Sequence, residues 1–199
     1  GDVRELANML KKLYAECVLV RHPQEMEQID GLIIPGGEST AISLLMRKHG
    51  LDKKIKEKSA QGMPIYGTCA GAILLATKIL GNSMKPLGLI EIDIERNSYG
   101  RQIDSFEADL SIREIGGFRG VFIRAPVIKK CYNGAEIMAE HNKFPVMARQ
   151  NNILITTFHP ELTNDPRVHE YFLGMAKEHW EIKEMRRDIE KNNCQSSFS

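Results

Sequence analysis

The sequence predicts an α/β protein of the flavodoxin-like, doubly wound kind, with a mostly parallel sheet, helices on both faces and an antiparallel extension. Three observations point there. The run "GLIIPGG", Gly31 to Gly37, is an all-apolar strand that breaks at a proline and two glycines and leads into a helical stretch. "MPIYG" repeats the plan, with a helix starting at Ala70. Strand, tight turn and helix in succession are the βαβ pattern, which builds parallel sheets covered on both sides. From Leu87 the texture changes to alternating runs joined by Gly- and Asn-containing turns, the mark of antiparallel strands.

Taken in order, Val3, Leu6, Leu10, Leu13 and Tyr14 recur at three- and four-residue steps and predict an amphipathic helix over 2–15. "CVLV", Cys17 to Val20, reads as a short buried strand. After "GLIIPGG" a helix runs from Ser39 to about Lys48. The alternating strands of the second half are "LIEIDIE", "IDSFEADLSI", "GVFIRAPV", "AEIMAEH", "FPVMAR" and "NILITTFH". A last helix begins near Pro166 with Asp165 as its cap and carries Tyr171, Phe172, Met175 and Trp180 on its apolar side. The tail "NNCQSSFS" reads as frayed. In a flavodoxin-like sheet the first strand lies inside, whereas this chain opens on the helix that should follow it. Loss of an interior strand strips ladder hydrogen bonds from both neighbours, so the chain is expected to lack its native beginning.

With 199 residues, 42% of them hydrophobic, the chain suits one domain spanning 1–199. The net charge is +1 with Lys and Arg dispersed among acids, which argues against nucleic acid as a partner. No apolar run reaches the length of a membrane span and no signal peptide opens the chain, so a cytoplasmic protein is expected. Cys17, Cys69, Cys131 and Cys194 form no CxxC pair, which predicts free thiols and no structural metal.

Chemistry concentrates in three stretches. Gly67-Thr68-Cys69-Ala70-Gly71 has the G-x-nucleophile-x-G form of a nucleophile elbow, a sharp strand-to-helix turn with cysteine as its middle residue. That turn sets the sulfur at the carboxyl edge of the sheet and at a helix N-terminus, where thiolate is favoured, and aims the Ala70 amide at an oxyanion beside it. A cysteine in a glycine-rich turn is as readily a small buried hydrophobe, and the pentapeptide alone leaves both readings open. Of six histidines, His159 ends a strand where open α/β sheets place their sites, and Glu161 stands two residues on, able to turn back onto the other imidazole nitrogen. His49, His169 and His179 sit among charges at helix ends and read as solvated; His22 and His141 lie near turns. In Pro35-Gly36-Gly37-Glu38-Ser39-Thr40 the glycines let the backbone approach a ligand, and the Gly37 amide is a second oxyanion donor. A phosphate cradle is disfavoured there, because neither GxxxxGK[ST] nor GxGxxG spacing is present.

Together, "PGGEST", "GTCAG" and "FHPE" in this order resemble the triad class of glutamine amidotransferases. "ERNSYGRQIDSFEADL", "GVFIRAP" and "HPELTNDPRVHEYF" resemble one branch of it, the glutaminase subunits of pyridoxal 5'-phosphate synthase, from "GDVRE" to about Trp180. In that family a strand ending in a glutamine precedes the "GDVRE"-like segment. The resemblance implies Cys69 as nucleophile, His159 as general base and acid, Glu161 as orienting carboxylate, and Gly37 and Ala70 as oxyanion-hole amides. It implies contacts to L-glutamine from Gly37, Glu38, Ser39, Arg96, Ile123 and Arg124. The chemistry suits two of these, since an ammonium seeks a carboxylate such as Glu38 and a carboxylate seeks a guanidinium such as Arg96. Without the resemblance, Arg96 reads as a solvated hairpin residue and Arg124 as a member of a structural ion pair. No cofactor is implied. The implied partner is a barrel-shaped pyridoxal phosphate synthase subunit that receives the ammonia within a large hetero-oligomer and activates the glutaminase on docking around Cys69. Two other readings stand beside this one: a cysteine hydrolase or amidotransferase serving another synthase, and a silent regulatory module of the same fold.

Overall fold

The structure, a computed structural model, describes residues 2–96 and 105–196. In chain order the elements are α1 (Asp2–Lys12), β1 (Leu32–Ile34), α2 (Ser39–Lys48), α3 (Leu51–Ala60), β2 (Ile65–Thr68), α4 (Ala70–Leu75), β3 (Ala76–Leu80), β4 (Ile90–Glu95), β5 (Ser105–Ile112), β6 (Gly116–Ile123), β7 (Val127–Cys131), β8 (Glu136–His141), β9 (Phe144–Gln150), β10 (Ile153–Thr156) and α5 (Arg167–Ser196). Residues 97–104, the "NSYGRQID" of the family-like stretch, which include the first two residues of the predicted strand "IDSFEADLSI", lie outside the described residues.

The central sheet has five strands in the order β1-β2-β10-β9-β8. β1, β2 and β10 run parallel, with Ile34 opposite Gly67 and Thr156 opposite Thr68, while β9 and β8 continue the sheet antiparallel. β2 and β10 are buried along their whole length, so their sequences read as apolar runs rather than alternations. Alternate residues still face opposite sides. Ile65, Ile153 and Ile155 join a core with Met46, Ile55 and Leu75; Tyr66 and Leu154 join a second with Phe122, Phe158 and Phe172. The sheet thus separates two cores, which is the doubly wound arrangement. Outside it lie a mixed three-stranded sheet β3-β4-β7, with β3 and β4 parallel and β7 antiparallel to β4, and the antiparallel β5-β6 hairpin, so the expected antiparallel extension holds for all but the β3-β4 pair.

Five expectations are corrected. Cys17 to Val20 is not a strand, and Val18 and Leu19 are exposed. Among the described residues β1 is the edge of the central sheet, so this segment has no ladder to join. α1 stops at Lys12, where Tyr14 takes φ 58° and the Ala15 amide bonds Leu10, a left-handed helix cap. α5 stays helical through Ser196, held in part by Lys183 on Asp30 at 3.1 Å, and Trp180 is exposed. The face that α5 buries carries Val168, His169, Phe172 and Met175. His169, read from sequence as solvated, is therefore fully buried, because its position falls on that inner face.

Candidate active site

β2 delivers the nucleophile candidate. After Thr68 the backbone turns sharply: Cys69 takes φ 48° and ψ −102°, the positive-φ conformation an elbow requires. The two flanking glycines are there for space. A Cβ on Gly67 would sit 2.6 Å from the Gly71 backbone, and one on Gly71 would strike the Ile34 carbonyl oxygen. The elbow is pinned across the sheet, since the Cys69 amide donates to the Thr156 carbonyl at 2.8 Å. The thiol is buried at the head of α4, with its sulfur 4.0 Å from the Ile123 carbonyl oxygen.

β10 delivers the base candidate. Beyond Thr156 the chain leaves the sheet, anchored by the Thr157 amide on Val146 and the His159 amide on Val121, at 2.9 and 2.8 Å. Pro160–Leu162 forms one 3-10 turn, which carries Glu161 back over the histidine. His159 Nδ1 then donates to Glu161 Oε1 at 2.8 Å, leaving Nε2 for Cys69, with which the ring is also hydrogen-bonded. His159 and Glu161 are only 4% and 5% exposed. Burial disfavours the imidazolium, but the hydrogen bonds to Cys69 and Glu161 and their negative charge outweigh it, so the His159 pKa rises to about 10. Sulfur, imidazole and carboxylate therefore form one continuous buried array.

The third loop follows β1 and lies beside the elbow because Ile34 and Gly67 are in register. Gly37 has φ +142°, which favours glycine. Glu38 caps α2, accepting from the Thr40 amide at 3.1 Å and the Ala41 amide at 2.6 Å. Those amides, and to a lesser degree Arg96, hold its carboxyl below the usual range. Arg96, at the end of β4, donates to Glu38 Oε1 and to Thr40 Oγ1, both at 3.1 Å. The two residues expected to divide a zwitterion between them thus stand side by side. Ser39 is buried, and its hydroxyl has no partner among the described residues. Ile123 is brought to the sulfur, whereas Arg124 is exposed, at φ 43°. Sequence reasoning missed Tyr66, Thr156 and Thr40, whose hydroxyls link these loops. For Tyr66 and Thr156 the available signal was a hydroxyl inside an apolar run, which must find a partner once buried; Thr40, exposed in the first turn of α2, offered none.

Residues 1–178 match the model of the SNO glutamine amidotransferase family. The chain belongs to that family. It is 49% identical over 179 residues to the pyridoxal 5'-phosphate synthase subunit PdxT of Geobacillus kaustophilus, covering 89% of this chain and 91% of the relative. It is 46% identical over 178 residues to PdxT of Thermosipho africanus, covering 89% and 95%. Among solved structures, a glutamine amidotransferase at 45% identity superposes with a TM-score of 0.86 over 89% of this chain and 95% of the other. The SNO match includes all three loops of the array and stops before the outer half of α5. Among the described residues no helix is long and apolar enough to cross a membrane.

Proposed function

We propose that this SNO-family chain is the glutaminase of a pyridoxal 5'-phosphate synthase, hydrolysing L-glutamine to L-glutamate and ammonia for use by a synthase subunit. The observation that carries the reading is the buried Cys69–His159–Glu161 array on a positive-φ elbow. Cys69 sulfur attacks the side-chain amide carbon of glutamine, and the carbonyl oxygen takes the negative charge facing the Gly37 and Ala70 amides. His159 gives its proton to the departing nitrogen as the carbon–nitrogen bond breaks, releasing ammonia and leaving a glutamyl thioester. Water then attacks the thioester, His159 accepts its proton, and glutamate leaves as the sulfur–carbon bond breaks. Glu161 keeps the imidazole in the tautomer and orientation that both steps need.

Glutamine is held at its far end by Arg96 and Glu38, with Ser39, Ile123 and Arg124 lining the approach. The substrate carboxylate takes hydrogen bonds from Arg96, and its ammonium meets Glu38. Ammonia free in water is protonated and lost, so the synthase, a barrel-shaped subunit of a large assembly, docks on the face around Cys69 and receives it under shelter. The setting is cytoplasmic. The test is ammonia release from glutamine by the full chain with and without added pyridoxal phosphate synthase subunit. Release that depends on the synthase supports the reading, and no release with the synthase present refutes it.

A further inference from the structure

Thr156, the last residue of β10, is fully buried and holds a position that neither the motifs nor the family resemblance assigns. Its hydroxyl lies 2.9 Å from the Tyr66 hydroxyl and 3.0 Å from the Phe158 carbonyl oxygen. A threonine hydroxyl has one proton. Given to Phe158, which can only accept, that proton leaves the Tyr66 O–H to donate into Thr156 Oγ1. The Thr156 carbonyl in turn accepts from the Cys69 amide at 2.8 Å. One residue therefore ties the strand three residues before the nucleophile, the nucleophile's own amide, and the peptide immediately before His159.

We propose that Thr156 is a positioning residue whose hydroxyl sets the distance and angle between the Cys69 thiol and the His159 imidazole. This rests on the reading of Cys69 and His159 as a reacting pair. The main chain does not do the same work alone. The Thr157 and His159 amides are anchored, on Val146 and Val121, but the Phe158 carbonyl between them takes its hydrogen bond from Thr156. The Phe158 ring is fixed against Phe118 and Phe122, with centroids 5.7 and 5.6 Å away. A valine at 156 keeps the volume, the strand propensity and the carbonyl that receives Cys69. It leaves the Tyr66 hydroxyl and the Phe158 carbonyl unpaired in a dry core, and the relief open to the Phe158–His159 peptide is to rotate. That rotation displaces the imidazole, and a displacement of a reacting group by about 1 Å is enough to cost as much as a hundredfold in rate.

The test is alkylation of Cys69 by iodoacetamide at neutral pH in the full chain, followed by peptide mass, with the exposed Cys17 as internal reference. Cys69 reacts about tenfold more slowly relative to Cys17 in Thr156→Val, and within about twofold of the wild-type rate in Thr156→Ser. The double variant Tyr66→Phe with Thr156→Val removes both hydroxyls of the pair, keeps the core free of an orphaned phenol and so keeps the fold; it too reacts about tenfold more slowly. His159→Ala supplies the reference for loss of the imidazole. If His159→Ala leaves the rate unchanged, the reading of the reacting pair fails. If His159→Ala slows Cys69 while the folded double variant reacts at the wild-type rate, or Thr156→Ser is as slow as Thr156→Val, the positioning role is overturned.

Discussion

His159 and His169 stand ten residues apart, on either side of the turn that carries Glu161, and both are buried. Their surroundings divide them. His159 has the Glu161 carboxylate on one nitrogen and Cys69 on the other face of its hydrogen-bonding, and its pKa is raised to about 10 against the burial that opposes it. His169 has no hydrogen-bond partner on either nitrogen among the described residues, only the edge of the Tyr66 ring with centroids 6.2 Å apart, and burial alone lowers its pKa to about 4. Burial pushes both rings toward neutrality, and the sign of the outcome is set by the partners. The lesson is that a buried histidine acquires chemistry from what it faces; the same ring without partners is a core residue that carries a liability toward acid.

The sharpest way to break this contrast is to remove the imidazole on each side and compare. His159→Ala lowers glutamine hydrolysis by the chain with its synthase on the order of 10³–10⁴-fold, whereas His169→Leu leaves it within a few-fold, as read by ammonia release. Replacing only the partner costs less. Glu161→Gln, which keeps the size of the side chain but removes its charge, lowers the same rate on the order of 10²–10³-fold, mostly in kcat.

The pH dependence of stability separates the pair next. The folded-state pKa of His169 lies below the value of an unfolded histidine, about 6.5, so the unfolded state binds the extra proton. Its contribution is fully present above pH 6.5 and is lost as the pH falls toward 4, by about 3 kcal/mol at 1.36 kcal/mol per unit. Urea unfolding of His169→Leu at pH 7 and pH 4.5 checks this: the variant loses less stability than the wild type over that interval. The smallest effect belongs to an exposed histidine. His22 meets His49 edge to face at a centroid distance of 5.9 Å on the surface, and His22→Ala shifts the urea midpoint by no more than about 0.5 kcal/mol in free energy.

How far the sequence reached follows the same division between local and non-local causes. The helix over Ser39–Lys48 and the strand, turn and helix around Cys69 were legible because their signals are local: apolar runs and glycines at the turns. The His159–Glu161 contact was legible because two residues separated by one turn meet whatever the rest of the chain does. α3 went unread because Ile55 is its one fully buried apolar side chain in an otherwise charged helix. "CVLV" was misread because an apolar run becomes a strand only where a ladder receives it. Thr156 was legible only by half: a hydroxyl in an apolar run needs a partner, but threonine suits a β-strand on propensity alone, and nothing local shows that the partner stands 90 positions away. His169 looked solvated amid charges, since the phase of a long helix against its core is fixed by tertiary packing.

The central claim is that Cys69 forms the covalent intermediate, and it is tested most directly by rapid acid quench of the chain with its synthase and glutamine, followed by peptide mass. The account predicts a glutamyl adduct on the peptide carrying Cys69, formed and consumed during turnover and absent from Cys69→Ala. Glutamine turned over at an undiminished rate by Cys69→Ala, or an adduct found on another residue, would contradict it.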